Sequence, residues 1–152
     1  MAHTSKTGFE GMKGRYLLNT DGGMKSDGSR SSGDEPGEAA IGVVLNDPND
    51  RTVRTFKGPI GPETIQGAEY KALIKGLKLC IELGIDRIRA YVDNQLVVDQ
   101  VNGLAKVKDE DLKLYHAKAM DLLNKFSDQR VYWVPRERNK AADALVREVL
   151  YP

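Results

Sequence analysis

The sequence predicts an α/β domain: a five-stranded mixed sheet, its first three strands antiparallel, with helices on both faces. Three observations predict it. Three apolar or alternating runs come first, separated only by polar, turn-rich connections. From residue 66 onward, segments of helical and strand period alternate. No internal repeat and no linker divides the 152 residues, which suffice for one buried core.

Residues 15–20 (RYLLNT) are apolar and flanked by glycines, and read as the first strand. Residues 22–37 are rich in Gly and Ser and read as a loop. A second strand is expected at 39–45 (AAIGVVL), a turn at 46–50 (NDPND), and a half-exposed third strand at 51–57. Pro59 and Pro62 mark the next connection. A helix over 66–83 places Ala68, Ala72, Leu73, Leu77, Cys80 and Leu83 at helical spacing, and Gly84 stops it. Residues 87–92 (RIRAYV) alternate as a fourth strand. Asp93 caps a short helix to residue 101, and a longer helix spans 109–126. The fifth strand covers 130–134. The last helix covers 139–150, with Ala142, Leu145, Val146 and Val149 inward.

Composition narrows the function classes. Net charge is +1, but it is unevenly spread. Residues 27–38 are acidic, whereas Lys71, Lys75 and Lys78, then Lys106 and Lys108, then Arg136, Arg138, Lys140 and Arg147 are basic. Charge alone favours a solvated, mixed surface over a nucleic-acid footprint. The single cysteine, Cys80, lies in an apolar helical stripe and is expected to be a packed, inert thiol. No stretch is apolar enough to span a bilayer. Residues 1–14 lack the apolar core of a secretory signal and are expected to be a flexible tail on a domain of residues 15–152. A cytoplasmic monomer is expected, since no apolar helix face is left over once the core is assigned.

Four acids occupy unusual places in this plan. Asp21 ends the first strand, Glu69 opens the first helix, Asp93 ends the fourth strand and Asp143 opens the last helix. Ligand sites of open α/β sheets gather at the carboxyl ends of neighbouring strands. Each acid also has a plain explanation. Asp21-Gly22 is a turn signal. Glu69 gains about 0.3–1 kcal/mol from the helix dipole. Asp93 as a cap is worth about 1 kcal/mol. Asp143 can pair with Arg147 for about 0.2–0.5 kcal/mol. Together, four carboxylates converging on one sheet edge repel unless a cation lies among them. Oxygen ligands without nearby His or Cys favour Mg²⁺ or Mn²⁺. His3 and His116 lack metal-ligand spacing.

Four segments carry a resemblance: LLNTDGG (17–23), GAEYKALIKGL (67–77), YVDNQLVVDQVNG (91–103) and VPRERNKAADAL (134–145). In order and spacing they resemble type 1 ribonuclease H, in the bacterial and archaeal subgroup with a short region after Gly103. The resemblance covers nearly all of 15–150. It implies the ribonuclease H-like fold, and hydrolysis of the RNA strand of RNA–DNA hybrids to 5′-phosphate and 3′-hydroxyl ends. It implies that Asp21, Glu69, Asp93 and Asp143 are catalytic and hold two divalent ions, Mg²⁺ or Mn²⁺. Asp21 would bridge both ions, Glu69 and Asp93 would hold one, and Asp143 would hold the ion beside the attacking water. It further implies substrate contacts from Gly22, Gly23, Thr64, Gln66, Gln95, Lys106, Lys108 and Asn139, with the RNA read through its 2′-hydroxyls.

The match departs from the family in four places. The loop before the last helix, Pro135-Arg136-Glu137-Arg138, lacks the histidine common there. The basic protrusion is reduced to Lys106 and Lys108, with no aromatic at Leu104-Ala105. The loop after Asp21 carries Asp27, Asp34 and Glu35. Ile65 replaces an amide. Two other readings fare worse. A 3′–5′ exonuclease of related fold needs a second acid two residues after the first, and Gly23 stands there. A non-catalytic duplex-binding module would be expected to lose one of the four acids, and all four are present.

Overall fold

A computed structural model describes residues 14–25 and 34–152; the tail expected at 1–14 falls outside them except for Gly14, as do His3 and Asp27. The first strand in sequence, β1 (Tyr16–Met24), is the middle strand of the sheet. β2 (Gly37–Asn46) and β3 (Thr52–Glu63) follow on one side as antiparallel neighbours. β4 (Arg87–Val92) and β5 (Asp128–Trp133) lie on the other side, both parallel to β1, giving the order β3-β2-β1-β4-β5. Helix α1 (Ile65–Glu82) crosses from β3 to β4. Helices α2 (Gln95–Val101) and α3 (Glu110–Leu123) link β4 to β5, and a 3₁₀ turn at Arg136–Arg138 leads into α4 (Lys140–Leu150).

Alternation decides which face each strand side chain takes. In β1, Tyr16, Leu18 and Thr20 are buried toward α1, and the intervening Leu17 and Asn19 face the other way. Leu18, Ile88, Leu73, Leu77 and Leu123 are fully buried in the main core, with α3 behind α1. Burying such a side chain contributes about 1.5–3 kcal/mol. Cys80 lies in this core, where burial pushes its thiol up to about 12, so it is inert as expected. On the opposite face α4 lies across β1, β2 and β3. It comes close because Gly42 has no side chain: a β-carbon there would stand 2.5 Å from the Ala142 carbonyl oxygen.

Several boundaries differ from the sequence reading. β1 does not end at Thr20 but continues through Asp21 to Met24, because β2 keeps pairing with it as far as Met24↔Ala39. Part of the expected loop, Gly22 to Met24 and Gly37, is therefore strand. β3 runs on to Glu63 through Pro59 and Pro62, which an edge strand tolerates because its outer side needs no N–H donor. The cap of α2 is Asn94, whose side chain accepts from the Val97 N–H at 3.1 Å, and not Asp93. That leaves the Asp93 carboxylate free for other use. The turn at 46–50 is as expected, with Asp47 Oδ1 accepting from the Asn49 and Arg51 N–H groups.

Two polar anchors fix the elements that flank the site. The Glu63 carboxylate accepts from the Tyr115 hydroxyl at 2.7 Å and the Thr64 N–H at 2.9 Å, and pairs with Lys71 at 2.9 Å. Burial pushes this carboxyl up, but the bonds from Lys71, Tyr115 and the Thr64 N–H outweigh it and hold it below its ordinary range. The start of α1 is thereby tied to α3. On β5, the Asn102 side chain donates to the Val131 carbonyl at 3.1 Å.

The seat of α4 gives a stability prediction. Gly42→Ala forces α4 away from β2 and costs about 1–3 kcal/mol in denaturant unfolding. Gly58→Ala meets only ordinary contact with Phe56 and leaves the midpoint nearly unchanged. Equal midpoints for the two variants would refute the close-seating account.

Candidate active site

The pairing pattern of β1 opens the site. Its parallel partner β4 stops at Val92, opposite Thr20, whereas the pairing with β2 continues. Asp21 is thus the first β1 residue with no strand on its β4 side. The gap admits Glu69 from the second turn of α1, one turn later than the sequence suggested because the helix already begins at Ile65. Thr64 caps that helix, its hydroxyl accepting from the Gly67 N–H at 3.0 Å. The Gly22 N–H then donates to Glu69 Oε1 at 2.5 Å. Gly22 must be glycine, since a β-carbon there would collide with the Ala68 carbonyl. Asp93 follows β4 directly and reaches the same point from the third side.

One carboxylate oxygen from each of Asp21, Glu69 and Asp93 lies within 4.8 Å of the other two. Asp21 and Glu69 are both only 3% exposed. Burial pushes the Asp21 carboxyl up, and the charges of Asp93 and Asp143 add to it. The Glu69 hydrogen bond and the Arg136 charge only partly offset this, leaving it at about 8. Burial likewise drives Glu69 well above its ordinary value, with Asp21 and Asp93 adding repulsion against the bond from the Gly22 N–H. Asp143 lines the same cleft as Asp21, Gly22, Gly23 and Arg136, a space of about 400 Å³, but its carboxylate stands outside the group of three. It pairs with Arg147 at 2.9 Å, so the i,i+4 pairing expected from sequence forms as well.

Acids held this close, two of them buried, call for a cation. The donors are all hard carboxylate oxygens, with no His or Cys among them. They fit Mg²⁺ or Mn²⁺ by ligand type.

Asn139 was expected to contact substrate, but its residue is only 1% exposed. Its Nδ2 donates to the Thr20 carbonyl at 2.9 Å and lies 3.2 Å from Asp93 Oδ2, while its Oδ1 accepts from Asn19 Nδ2 at 2.9 Å. It therefore braces Asp93 from the junction of β1 and α4. Asn19 escaped the sequence reading. The signal was there: an amide in the middle of an apolar strand needs a buried partner.

The other expected contacts divide. Thr64, Gln66, Lys106 and Lys108 share a second cleft of about 560 Å³ with Leu96 and Gln100. Gln66 Oε1 is buried there without a hydrogen-bond partner. Asp34, from the acidic loop, lines the same cleft. Gln95 is exposed, and its amide donates to Asp99 at 3.0 Å. Gly23 faces Val146, 2.9 Å from where its β-carbon would be. Helix packing thus requires both glycines after Asp21, which also line the cleft beside it.

Comparison with known proteins agrees with this geometry. A family described as reverse transcriptase-like matches residues 25–149. The crystal structure of ribonuclease H1 from the halophilic archaeon Halobacterium salinarum superposes with a TM-score of 0.81 at 37% identity, covering 90% of this chain and 98% of that one. The chain belongs to the ribonuclease H family. Against the full ribonuclease HI sequence of that archaeon it is 39% identical over 115 residues, 76% of this chain and 58% of the relative. The chain thus spans little more than half of that relative's length. The N-terminal ribonuclease H domain of a Mycobacterium tuberculosis protein is 32% identical, with a TM-score of 0.81 and coverage of 90% and 93%. LC11-RNase H1, solved in complex with an RNA/DNA hybrid, is 33% identical, with a TM-score of 0.76 and coverage of 90% and 96%.

The buried acids of this ribonuclease H domain set a pH dependence. A carboxyl whose pKa is raised on folding stabilises the fold fully below its unfolded value, about 4, and that stability is lost as pH rises through the folded value. In chelator, stability should therefore fall between about pH 4 and about pH 8, the latter being the Asp21 value. Asp21→Asn should raise stability near neutrality and flatten the slope. Added Mg²⁺ should stabilise the unsubstituted protein most at the alkaline end. Denaturant titrations across this range test it, and a slope that Asp21→Asn leaves untouched would count against the shared burial of these acids.

Proposed function

We propose that this chain is an endoribonuclease that hydrolyses the RNA strand of RNA–DNA hybrids, leaving 5′-phosphate and 3′-hydroxyl ends. The observation that carries this is the trio of Asp21, Glu69 and Asp93, within 4.8 Å of one another, with Asp21 lining a cleft shared with Asp143. The hybrid in the structure of LC11-RNase H1 supports the substrate class.

In this reading the four acids hold two divalent ions, Mg²⁺ or Mn²⁺. Such ions, when bound, neutralise phosphate charge and make water a nucleophile near neutral pH. The chain's own residues supply the positioning. The Gly22 N–H fixes Glu69, Asn139 fixes Asp93, and Arg147 fixes Asp143. Arg136, lining the cleft, offers positive charge to the phosphate group. Thr64, Lys106 and Lys108 hold the flanking backbone, and the unpartnered Gln66 amide oxygen accepts from a 2′-hydroxyl. Gln95 is the outermost contact. Residues 15–152 act as the catalytic unit, a monomer in the cytoplasm.

The test is cleavage of a labelled RNA–DNA hybrid in Mg²⁺ and in Mn²⁺, beside single-stranded RNA, duplex RNA and duplex DNA. Cleavage should be confined to the RNA strand of the hybrid, require the metal, and vanish in Asp21→Asn. An Asp21→Asn protein cleaving at the unsubstituted rate would overturn the site assignment. Lys106→Ala should weaken hybrid binding and lower the slope of log affinity against log salt by about 1. Asn139→Ala should lower kcat more than it raises KM, because it frees Asp93 without touching the hybrid.

A further inference from the structure

Helix α4 covers β1, β2 and β3, and leaves the same face of β4 and β5 open. In parallel register Arg87 pairs with Asp128, Arg89 with Arg130 and Tyr91 with Tyr132. These side chains all point away from the core, because Ile88, Ala90, Val92 and Val131 point into it. At the foot of the face Asp128 answers two cations, Arg15 at 2.7 Å and Arg87 at 3.5 Å. Above them Arg89 and Arg130 stand side by side with no ion-pair partner among the described residues. Like charges directly opposite on neighbouring strands repel. At the top the rings of Tyr91 and Tyr132 stack with centroids 5.7 Å apart, and Tyr132 is 40% exposed. Four guanidinium groups thus face one carboxylate, in a chain whose net charge is only +1.

We propose that this face is a track for a single-stranded segment of the nucleic acid whose hybrid portion occupies the active site; it rests on the hybrid-cleaving reading. Three features fix the occupant. The charge at Arg89 and Arg130 is positive and unanswered, which calls for an anion. Stacked aromatic rings beside arginines hold unpaired bases of any sequence. The strip is two strands wide, roughly 5 Å between strand axes, which suits one backbone and not a duplex. Its direction connects it to the chemistry. Tyr91 lies two residues before Asp93, roughly 7 Å along the strand, and Arg87 six residues before, roughly 20 Å. The track therefore leads away from the catalytic end, separated by the sheet from the cleft that holds Lys106 and Lys108.

The experiment uses the intact chain, a labelled oligothymidine, and two hybrids, one blunt and one bearing a single-stranded oligothymidine extension. Fluorescence anisotropy in chelator should show salt-dependent binding of oligothymidine. Tyr132→Ala should weaken that binding roughly tenfold. The Arg89→Gln, Arg130→Gln double variant should lower the salt slope by about 1.4, two contacts at about 0.7 each. Both variants should melt like the unsubstituted protein and cleave the blunt hybrid with unchanged kcat. The extension should lower KM for the unsubstituted protein and not for the variants. Oligothymidine binding that is the same in all three proteins would overturn the proposal. So would oligoglutamate binding more tightly than oligothymidine at these residues, which would point to an acidic protein partner. A blunt hybrid left uncut by the unsubstituted protein, with variant-sensitive oligothymidine binding, would overturn the proposed activity and leave the track standing.

Discussion

Mutual repulsion among Asp21, Glu69 and Asp93 is the constraint around which the domain is built. Each acid arrives on a different element, and none could be held there by its own neighbours alone. β1 supplies Asp21 just past the end of its pairing with β4. α1 supplies Glu69 through a first turn fixed by the Thr64 cap. The bend after β4 supplies Asp93. The strand order β3-β2-β1-β4-β5 brings the three together, since it makes β1 and β4 neighbours while β1 still has a second partner to extend along. The rest of the fold opposes the spreading that three crowded carboxylates, two of them buried, would otherwise drive.

That opposition comes largely from missing side chains and shared amides. Gly22 and Gly42 let α1 and α4 settle onto opposite faces of β1 and β2. Asn139 then joins Thr20, Asn19 and Asp93 through one side chain. A glycine and an amide each perform a local structural task, and together they set the spacing of the acids. The Glu63 anchor has the same logic at one remove, holding the start of α1 against α3.

Most of this architecture was legible in the sequence. The alternation in RIRAYV, the helical stripe through Leu73, Leu77 and Cys80, and the placement of four acids at element ends sufficed for the sheet and for the cluster. What escaped depended on partners distant in sequence. β1 runs past Asp21 because β2 lies beside it, which no local pattern reveals. β3 tolerates Pro59 and Pro62 because it is an edge, which only the strand order establishes. Asn94 outcompetes Asp93 as the α2 cap by a choice between two adjacent good caps, which spacing cannot make. The glycines after Asp21 read as openings toward a ligand, and their second task, seating two helices, depends on residues far along the chain. The arginines of β4 and β5 went unremarked because alternation scatters them through the sequence, and only the register of two strands aligns them.

The two borders of the sheet have a consequence for the molecule in company. A free strand edge is an invitation to a strand from another molecule. Here β3 lacks N–H donors at Pro59 and Pro62, and its ladder with β2 is broken by a register shift beside Ala39 and Ala40. At the far border the Asn102 amide already occupies the Val131 carbonyl. The second half of β3 and the middle of β5 are thereby interrupted as templates for a passing strand. A protein that must keep its middle strand open at one end for chemistry thus carries interruptions along both of its outer strands.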